Sequence, residues 1–101
     1  MNKYNILWHS EAFQDISEHI LFLKNVNNDA AIELRNSLFE SVKSLKEFPE
    51  SNPIFEMPES FPFVVRKKII NKRYLVLYII EGNNIEVFRV LDSRKKFEYL
   101  I

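Results

Sequence analysis

The stretch FVVRKKIINKRYLVLYIIEGNNIEVFRVLD, residues 63 to 92, decides the fold, because it divides into apolar segments separated by short turn sequences. It predicts three strands, over residues 63–70, 73–81 and 85–92. INKR fits a two-residue hairpin turn in which Asn71 tolerates a positive φ, and EGNN brings the only glycine of the chain to the second turn. The run YLVLYII is typical of a central strand with both faces at least partly covered. A meander of three antiparallel strands follows.

A short strand and an amphipathic helix are predicted near the N-terminus. KYNILWH, residues 3 to 9, places Tyr4, Ile6 and Trp8 on one face of a strand, and Ser10 offers an N-cap for the helix after it. The apolar stripe of this helix consists of Phe13, Ile16, Ile20 and Leu23. The acidic residues predicted to face away from the stripe are Glu11, Asp15 and Glu18.

A second helix is predicted from Asn28 or Asp29 to about Phe48, where Pro49 stops it. Its apolar stripe consists of Ala31, Leu34, Leu38, Val42 and Leu45, widened by Ile32, Phe39 and Phe48. The short connection NVNND between the two helices favours an antiparallel helix hairpin. Residues 49–62 contain all four prolines and are predicted to be an irregular loop.

These elements predict one domain, residues 1–101, of the α+β class. An N-terminal strand and an antiparallel helix hairpin would pack on a three- to four-stranded, mainly antiparallel sheet. The 47% of hydrophobic residues suffice for one core. The other face of the sheet is expected to be open and basic.

The neutral net charge conceals an asymmetry between the two parts of the chain. Residues 1–60 contain 5 Lys and Arg against 10 Asp and Glu, whereas residues 61–101 contain 9 against 4. Two interpretations stay open: a face that binds a polyanion, or an ordinary solvated sheet face balanced by acidic helices. Cations on an edge strand also discourage sheet-to-sheet aggregation, which is a structural role.

Several classes of protein are disfavoured by what the sequence lacks. There is no cysteine, so a disulfide framework and a thiolate metal site are excluded. The N-terminus has no signal-peptide pattern, and the longest apolar run, Tyr74 to Ile80, is too short to span a membrane. His9 and His19 are expected to be surface groups rather than metal ligands. A cytoplasmic protein without metal, cofactor or membrane association is expected.

The order and spacing of several residues resemble those of the RelE/ParE family of toxins from bacterial type II toxin-antitoxin systems. These are Pro49 after the second helix, Arg66, Tyr74, Tyr78, the segment VFRVLD and Arg94. The resemblance covers nearly the whole chain and implies a small α+β toxin that a cognate antitoxin neutralises, in a toxin-antitoxin hetero-oligomer. Some members of the family cleave mRNA on the ribosome, and others poison DNA gyrase without cutting RNA.

If this chain were a nuclease, the resemblance would assign catalytic roles to Arg66, Lys68 and Arg94, and approximately to Tyr99. Such chemistry needs cations that stabilise the phosphorane and groups that move protons, without any metal. Two positions depart from the nuclease pattern, since Leu75 stands where nucleases have Arg and Asp92 where many relatives have His. Arg73 or Arg89 could replace the missing Arg.

Other prominent side chains also have structural interpretations. Tyr74 and Tyr78 share one strand face, which favours packing with a polar tip over an active-site role. Arg89 is expected to form an ion pair with Asp92 or with an acid on a helix rather than to act in catalysis.

Three functions therefore remain, with a gyrase-directed toxin preferred to a ribosome-dependent mRNA endoribonuclease and to an inactive binding module of the same fold. Neutral net charge favours the gyrase-directed toxin and the binding module, because an excess of cations favours binding to ribosomal RNA. The partners expected are an antitoxin, and gyrase or ribosome-bound mRNA as target. The residues expected to contact antitoxin or target are Arg66, Lys67, Lys68, Lys72, Arg73, Arg94, Lys95 and Lys96.

Overall fold

Residues 3 to 94, described by a computed structural model, form two helices and a five-stranded sheet. In chain order the elements are β1 (Asn5–Trp8), α1 (Ser10–Lys24), α2 (Asn28–Lys43), β2 (Ile54–Phe55), β3 (Val65–Ile70), β4 (Tyr74–Glu81) and β5 (Asn84–Asp92). Short 3-10 turns lie at Ser44–Lys46 and Pro49–Ser51. The predicted α+β class is confirmed.

The sheet order is β1-β5-β4-β3-β2, with β1 parallel to β5 and all other neighbours antiparallel. The predicted meander of three antiparallel strands and the central place of YLVLYII are therefore confirmed. The strand that was not predicted is β2, which lies in the region expected to be an irregular loop. Its residues Ile54 and Phe55 pair with Arg66 and Val65. That expectation was wrong because so short a pairing segment has no recognisable periodicity.

The two turns of the meander differ in length. Ile70 pairs with Tyr74, so three residues connect β3 to β4 instead of the two predicted. Positive φ is present at Asn71 (53°), as expected, and also at Lys72 (58°). The second turn has two residues between Glu81 and Asn84, and Gly82 supplies a φ of 59° there.

Both helices pack on one face of the sheet, here called the helix face. The fully or nearly buried residues of this core are Ala12, Ile16, Leu34, Leu38, Val42, Leu45, Ile70, Tyr74, Val76, Tyr78, Ile85, Val87 and Val90. Most of the predicted helix stripes are thus confirmed. Ile32 and Phe48 were wrongly assigned to the core, since they are 52% and 79% exposed. Phe13 is also half-exposed and stacks on Trp8 at 5.2 Å between ring centroids.

The helix ends differ from the predicted ones for local reasons. His9, not Ser10, is the N-cap of α1, because the His9 N–H still donates to the Val87 carbonyl as an extension of the sheet. Helix α2 begins as predicted, with the Asn27 side chain accepting from the Ala30 N–H. It ends at Lys43 rather than near Phe48, which has a left-handed φ of 57° that no helix can contain.

The opposite face of the sheet, here called the second face, is apolar rather than open and basic. Val65, Leu75, Leu77 and Leu91 are buried there. Side chains that pack against them include Phe55, Met57 and Phe61, which belong to the segment predicted to be only a loop. This segment covers the sheet because its apolar side chains are large enough to exclude water from the strands below. Within residues 3–94, no helix is long and apolar enough to cross a membrane.

Candidate functional site

The cations of the β3–β4 hairpin divide between the two faces of the sheet. Arg66 and Lys68 pair with Tyr78 and Val76 across the hairpin, so they lie on the helix face. Lys67 pairs with Leu77 and lies on the second face. Successive residues of a strand point to opposite faces, so three consecutive cations cannot form one surface. The expectation of a single basic sheet face is corrected accordingly.

Arg66 has a structural task on the helix face. Its guanidinium donates to the carbonyl oxygens of Glu50 and Asn52, at 3.0 and 2.7 Å. The buried Tyr78 hydroxyl donates to the carbonyl of Pro49 and accepts from the Asn52 amide at 3.0 Å. Burial raises the pKa of Tyr78, which keeps the hydroxyl protonated. Arg66 and Tyr78 together hold the 3-10 turn Pro49–Ser51. Tyr78 thus packs in the core with its hydroxyl hydrogen-bonded, as predicted.

The other hairpin lysines are less engaged. The Lys68 ammonium donates to the Ser44 hydroxyl at 2.6 Å, near the C-terminal end of α2. Among the described residues, Lys67 and Lys72 form no side-chain hydrogen bond or ion pair with one another or with any neighbour. Lys72 is exposed and Lys67 half-buried. Within the described residues, Lys67 and Lys72 therefore have all of their ammonium donors left for a partner, and Lys68 has those not given to Ser44.

The remaining hairpin cation, Arg73, belongs to an arginine–aspartate cluster with Asp92 and Arg94. Asp92 is only 4% exposed and accepts two guanidinium hydrogen bonds from Arg94, at 3.2 and 3.1 Å. It also accepts from the Arg94 backbone N–H at 3.0 Å and from Arg73 at 3.3 and 3.4 Å. The Arg94 hydrogen bonds, assisted by the charge of Arg73, hold the pKa of Asp92 well below its usual range.

This cluster lies beside a cavity of about 270 Å³ between α1 and the ends of β4 and β5. The cavity is also lined by Glu18, His19, Phe22 and Tyr74. Burial raises the pKa of Tyr74. Asp92 thus stands where a histidine could have moved protons, but as a fully paired carboxylate it anchors two arginines instead.

We expect low pH to reduce the stability of the fold by protonating the Asp92 carboxylate. Its folded pKa is depressed, so its contribution to stability is present above the ordinary value near 3.8 and is lost as the pH falls through the folded pKa. We expect Asp92→Asn to lower the melting temperature at about pH 6, and this deficit to shrink at about pH 3. Thermal unfolding followed by circular dichroism at both pH values measures it. The control is Glu59→Gln on an exposed loop residue, and a deficit for Asp92→Asn that grows toward low pH would contradict the prediction.

A second charged group was predicted only in part: Arg89 pairs with an acid on a helix, as expected, but that acid is a buried residue of α1. Asp15, predicted to face solvent, is 8% exposed and accepts from the Arg89 guanidinium at 2.8 and 2.9 Å and from the Val90 N–H at 2.8 Å. His19, expected at the surface, is half-buried, and its Nε2 lies 2.8 Å from the Val90 carbonyl oxygen. Among residues 3–94, no strand pairs with this edge of β5 beyond the level of Trp8, and these α1 side chains bond to its backbone groups instead. The four-residue spacing of Asp15 and His19 places both side chains on one side of α1, but it did not indicate that they would be covered by β5.

Among the described residues, two arginines that a nuclease would use, Arg66 and Arg94, lie at different levels of the sheet. Arg66 pairs with Tyr78, whereas Asp92, the anchor of Arg94, pairs with Tyr74. These tyrosines are four residues apart on β4, which separates the two places by about 13 Å along the strand. Leu75, in place of the nuclease arginine, is 6% exposed in the second-face cluster. Lys95, Lys96 and Tyr99, also predicted site residues, lie outside the described residues.

Comparisons with known proteins agree with the fold. The family model for the ParE toxin of type II toxin-antitoxin systems, parDE, matches residues 6–97. A solved structure described as a chromosomal ParDE TA system from P. aeruginosa is similar with a TM-score of 0.72. The similarity covers 91% of this chain and 98% of that chain at 16% identity, a level that shows the fold alone. No curated protein matches the chain.

The family match extends from β1 to beyond β5. It therefore includes the β3–β4 hairpin, the arginine–aspartate cluster and the α1 side chains that bond to the edge of β5. It agrees with the resemblance carried by Arg66, Tyr74, Tyr78 and the segment around Arg89. The chain belongs to the ParE toxin family of type II toxin-antitoxin systems.

Proposed function

We propose that this protein is a growth-inhibiting toxin that acts on DNA gyrase and is neutralised by a cognate antitoxin. The observation that carries the proposal is the burial of the two residues that depart from the nuclease pattern. Leu75 is buried in an apolar cluster, and Asp92 is buried beneath two guanidinium groups. Neither can bind a phosphate or shuttle a proton, which favours a binding surface over a reaction centre at these two positions.

The distribution of Arg66 and Arg94 supports the same proposal. Arg66 uses its guanidinium to hold a backbone turn, and about 13 Å of β4 separates its level in the sheet from that of Arg94. Charge stabilisation in a phosphoryl transition state needs donors that converge within hydrogen-bond distance of the same oxygens. A protein-binding toxin has no such requirement, because its affinity comes from surface complementarity.

An mRNA endoribonuclease remains the second candidate because the Arg94 side chain is 63% exposed even though it pairs with Asp92. An exposed arginine can still reach a phosphate, and Lys68 retains N–H donors beyond the one given to Ser44. In that case Arg94 and Lys68 would supply charge stabilisation and proton transfer, and the removal of either would lower the rate by orders of magnitude.

The two candidates differ in what happens first after expression. We expect the purified protein to inhibit DNA supercoiling by gyrase, and its induction in cells to cause DNA damage and filamentation while mRNA stays whole. Supercoiling assays and the mapping of mRNA 5′ ends after induction measure both outcomes.

Arg94→Ala removes an exposed arginine from the candidate site. The matched control, Arg35→Ala, removes an exposed arginine from α2. Codon-positioned cuts that appear within minutes, persist in Arg35→Ala and vanish in Arg94→Ala would replace the gyrase proposal with the nuclease. Gyrase that keeps its full activity at excess toxin would also reject it.

A further inference from the structure

The cavity beside the arginine–aspartate cluster, here called the arginine pocket, has hydrogen-bond donors to spare. Asp92 accepts from Nε and Nη2 of both Arg73 and Arg94. A guanidinium carries five N–H groups, so each arginine keeps three that form no hydrogen bond with any described residue. Two guanidinium charges also face one carboxylate, which leaves one positive charge in excess. The arginine pocket can therefore take one further anion.

A buried phenol, Tyr74, adds a donor to the walls of the arginine pocket. Its hydroxyl forms no hydrogen bond with the part of the chain that the structure describes. The hydroxyl still reaches solvent, because no side-chain oxygen or nitrogen in that part is both sealed and unpaired. Burial raises the pKa of Tyr74, and the charges of Arg73, Asp92 and Arg94 also act on it, so a protonated hydroxyl lies within their field. Arg73 lies over the Tyr74 ring, 5.2 Å from guanidinium carbon to ring centroid.

Acidic side chains near the arginine pocket restrict the kind of anion that can approach. Glu18 lines the pocket, and Glu33 lines a second cavity of about 400 Å³ that Arg73 and Tyr74 also border. Both glutamates are exposed, and neither forms an ion pair within the described residues. Their uncompensated charges repel a chain of phosphates more than they repel one carboxylate. A lone carboxylate therefore fits the arginine pocket better than a nucleic acid does.

The arginine pocket also offers apolar contact. Its volume of about 270 Å³ far exceeds that of a carboxylate, since one water molecule takes up about 30 Å³. Phe22 forms part of its wall and is 64% exposed. The rings of His19 and Tyr74, with centroids 4.9 Å apart, line it as well. An aromatic ring that enters beside the carboxylate would cover the exposed Phe22 side chain and pack against these rings.

We propose that the arginine pocket binds an acidic residue that stands next to an aromatic residue in an exposed segment of the target protein. The proposal rests on the proposed function for the identity of this partner, gyrase. The carboxylate accepts from Arg73, Arg94 and the Tyr74 hydroxyl, and Asp92 holds both guanidinium groups in place. The neighbouring aromatic ring packs on Phe22. Arginine and aromatic side chains at the centre of an interface carry much of its affinity.

Three capped tetrapeptides test the arginine pocket without gyrase. The glutamate peptide reads alanine-phenylalanine-glutamate-alanine. The glutamine peptide has glutamine in place of glutamate, and the alanine peptide has alanine in place of phenylalanine. In a ¹⁵N NMR titration we expect the glutamate peptide to shift the amides of Phe22, Tyr74 and Ser93. It should bind about tenfold tighter than the glutamine peptide and about threefold tighter than the alanine peptide, and its affinity should fall as salt rises from about 50 to 300 mM.

Two pairs of charge variants assign the binding to the arginine pocket. Arg94→Ala should weaken binding of the glutamate peptide about tenfold, whereas Arg35→Ala, which removes an exposed arginine from α2, should leave it unchanged. Glu18→Gln removes a repelling charge from the pocket and should strengthen binding about twofold at low salt. Glu59→Gln makes the same change on an exposed loop residue and should have no effect.

Two further variants separate the polar contact from the apolar one. Tyr74→Phe removes only the hydroxyl and should weaken binding of the glutamate peptide about threefold, with little effect on the glutamine peptide. Phe22→Ala should abolish the advantage of the glutamate peptide over the alanine peptide, because the aromatic contact is lost. Phe22 is exposed, so this variant keeps the proposal testable if Tyr74→Phe does not fold.

Several results would overturn the arginine pocket as a site for an acidic residue beside an aromatic one. These are equal binding of the glutamate and glutamine peptides, equal binding of the glutamate and alanine peptides, no binding of any peptide, and equal effects of Arg94→Ala and Arg35→Ala. Gyrase supercoiling measured without peptide reports on the proposed function separately, since the peptides measure the arginine pocket whether or not gyrase is the target.

Discussion

Replacing Leu38 with alanine should lower the free energy of unfolding by roughly 2 to 5 kcal/mol. Leu38 is fully buried in the middle of α2, in the core between the helices and the sheet. The substitution removes buried methyl groups and leaves a cavity that close-packed neighbours fill only in part. Small domains have little stability to spare, so a loss of this size leaves a large unfolded fraction near physiological temperature. Urea unfolding followed by circular dichroism measures it.

Leu21→Ala is the matched control, because it makes the same chemical change on a helix of the same protein. Leu21 lies on α1 and is 62% exposed, so little buried surface is lost. We expect its effect to stay within about 0.5 kcal/mol, as for other surface substitutions. Equal midpoint shifts for the two leucine variants would mean that α2 is not packed against the sheet as described.

Asp15→Ala should be comparably severe, with a loss of about 3 to 5 kcal/mol. The substitution leaves the guanidinium of Arg89 without its carboxylate and removes the acceptor of the buried Val90 N–H. Both groups lie at the edge of β5 under α1, where water reaches them poorly, so the desolvation cost is not recovered. Urea unfolding of the purified variant gives the value.

Two further variants assign the origin of the Asp15→Ala effect. Asp15→Asn keeps an oxygen that can accept from the Val90 N–H but loses the charge, so its stability should be intermediate. Asp15→Ala combined with Arg89→Met removes both charges and should recover part of the loss, because the guanidinium that lost its carboxylate is gone. Glu18→Ala, an exposed acid on the same helix, serves as control. A double variant no more stable than Asp15→Ala would argue against the ion pair as the source.

The candidate site was only partly readable from the residues. The cations of FVVRKKIINKR are evident in the chain, but we expected one basic face, although period-two alternation along a strand separates Lys67 from Arg66 and Lys68. What each cation does depends on neighbours that are distant in sequence: Arg66 bonds to Glu50 and Asn52, and Arg73 to Asp92. Their expected contacts with an antitoxin or a target stay predictions.

The sequence by itself determined the order of both helices and of every described strand except β2, the antiparallel meander and most of the buried stripe of α2. Those features arise from periods of 2 and 3.6 residues and from turn residues, which act over a few positions. Only the tertiary structure decided that Asp15 and His19 cover the edge of β5, that Phe55, Met57 and Phe61 cover the second face, and that Asp92 is buried between arginines. The physical reason is that a polar side chain enters the interior when a partner there satisfies it, and that partner is supplied by another element of the fold.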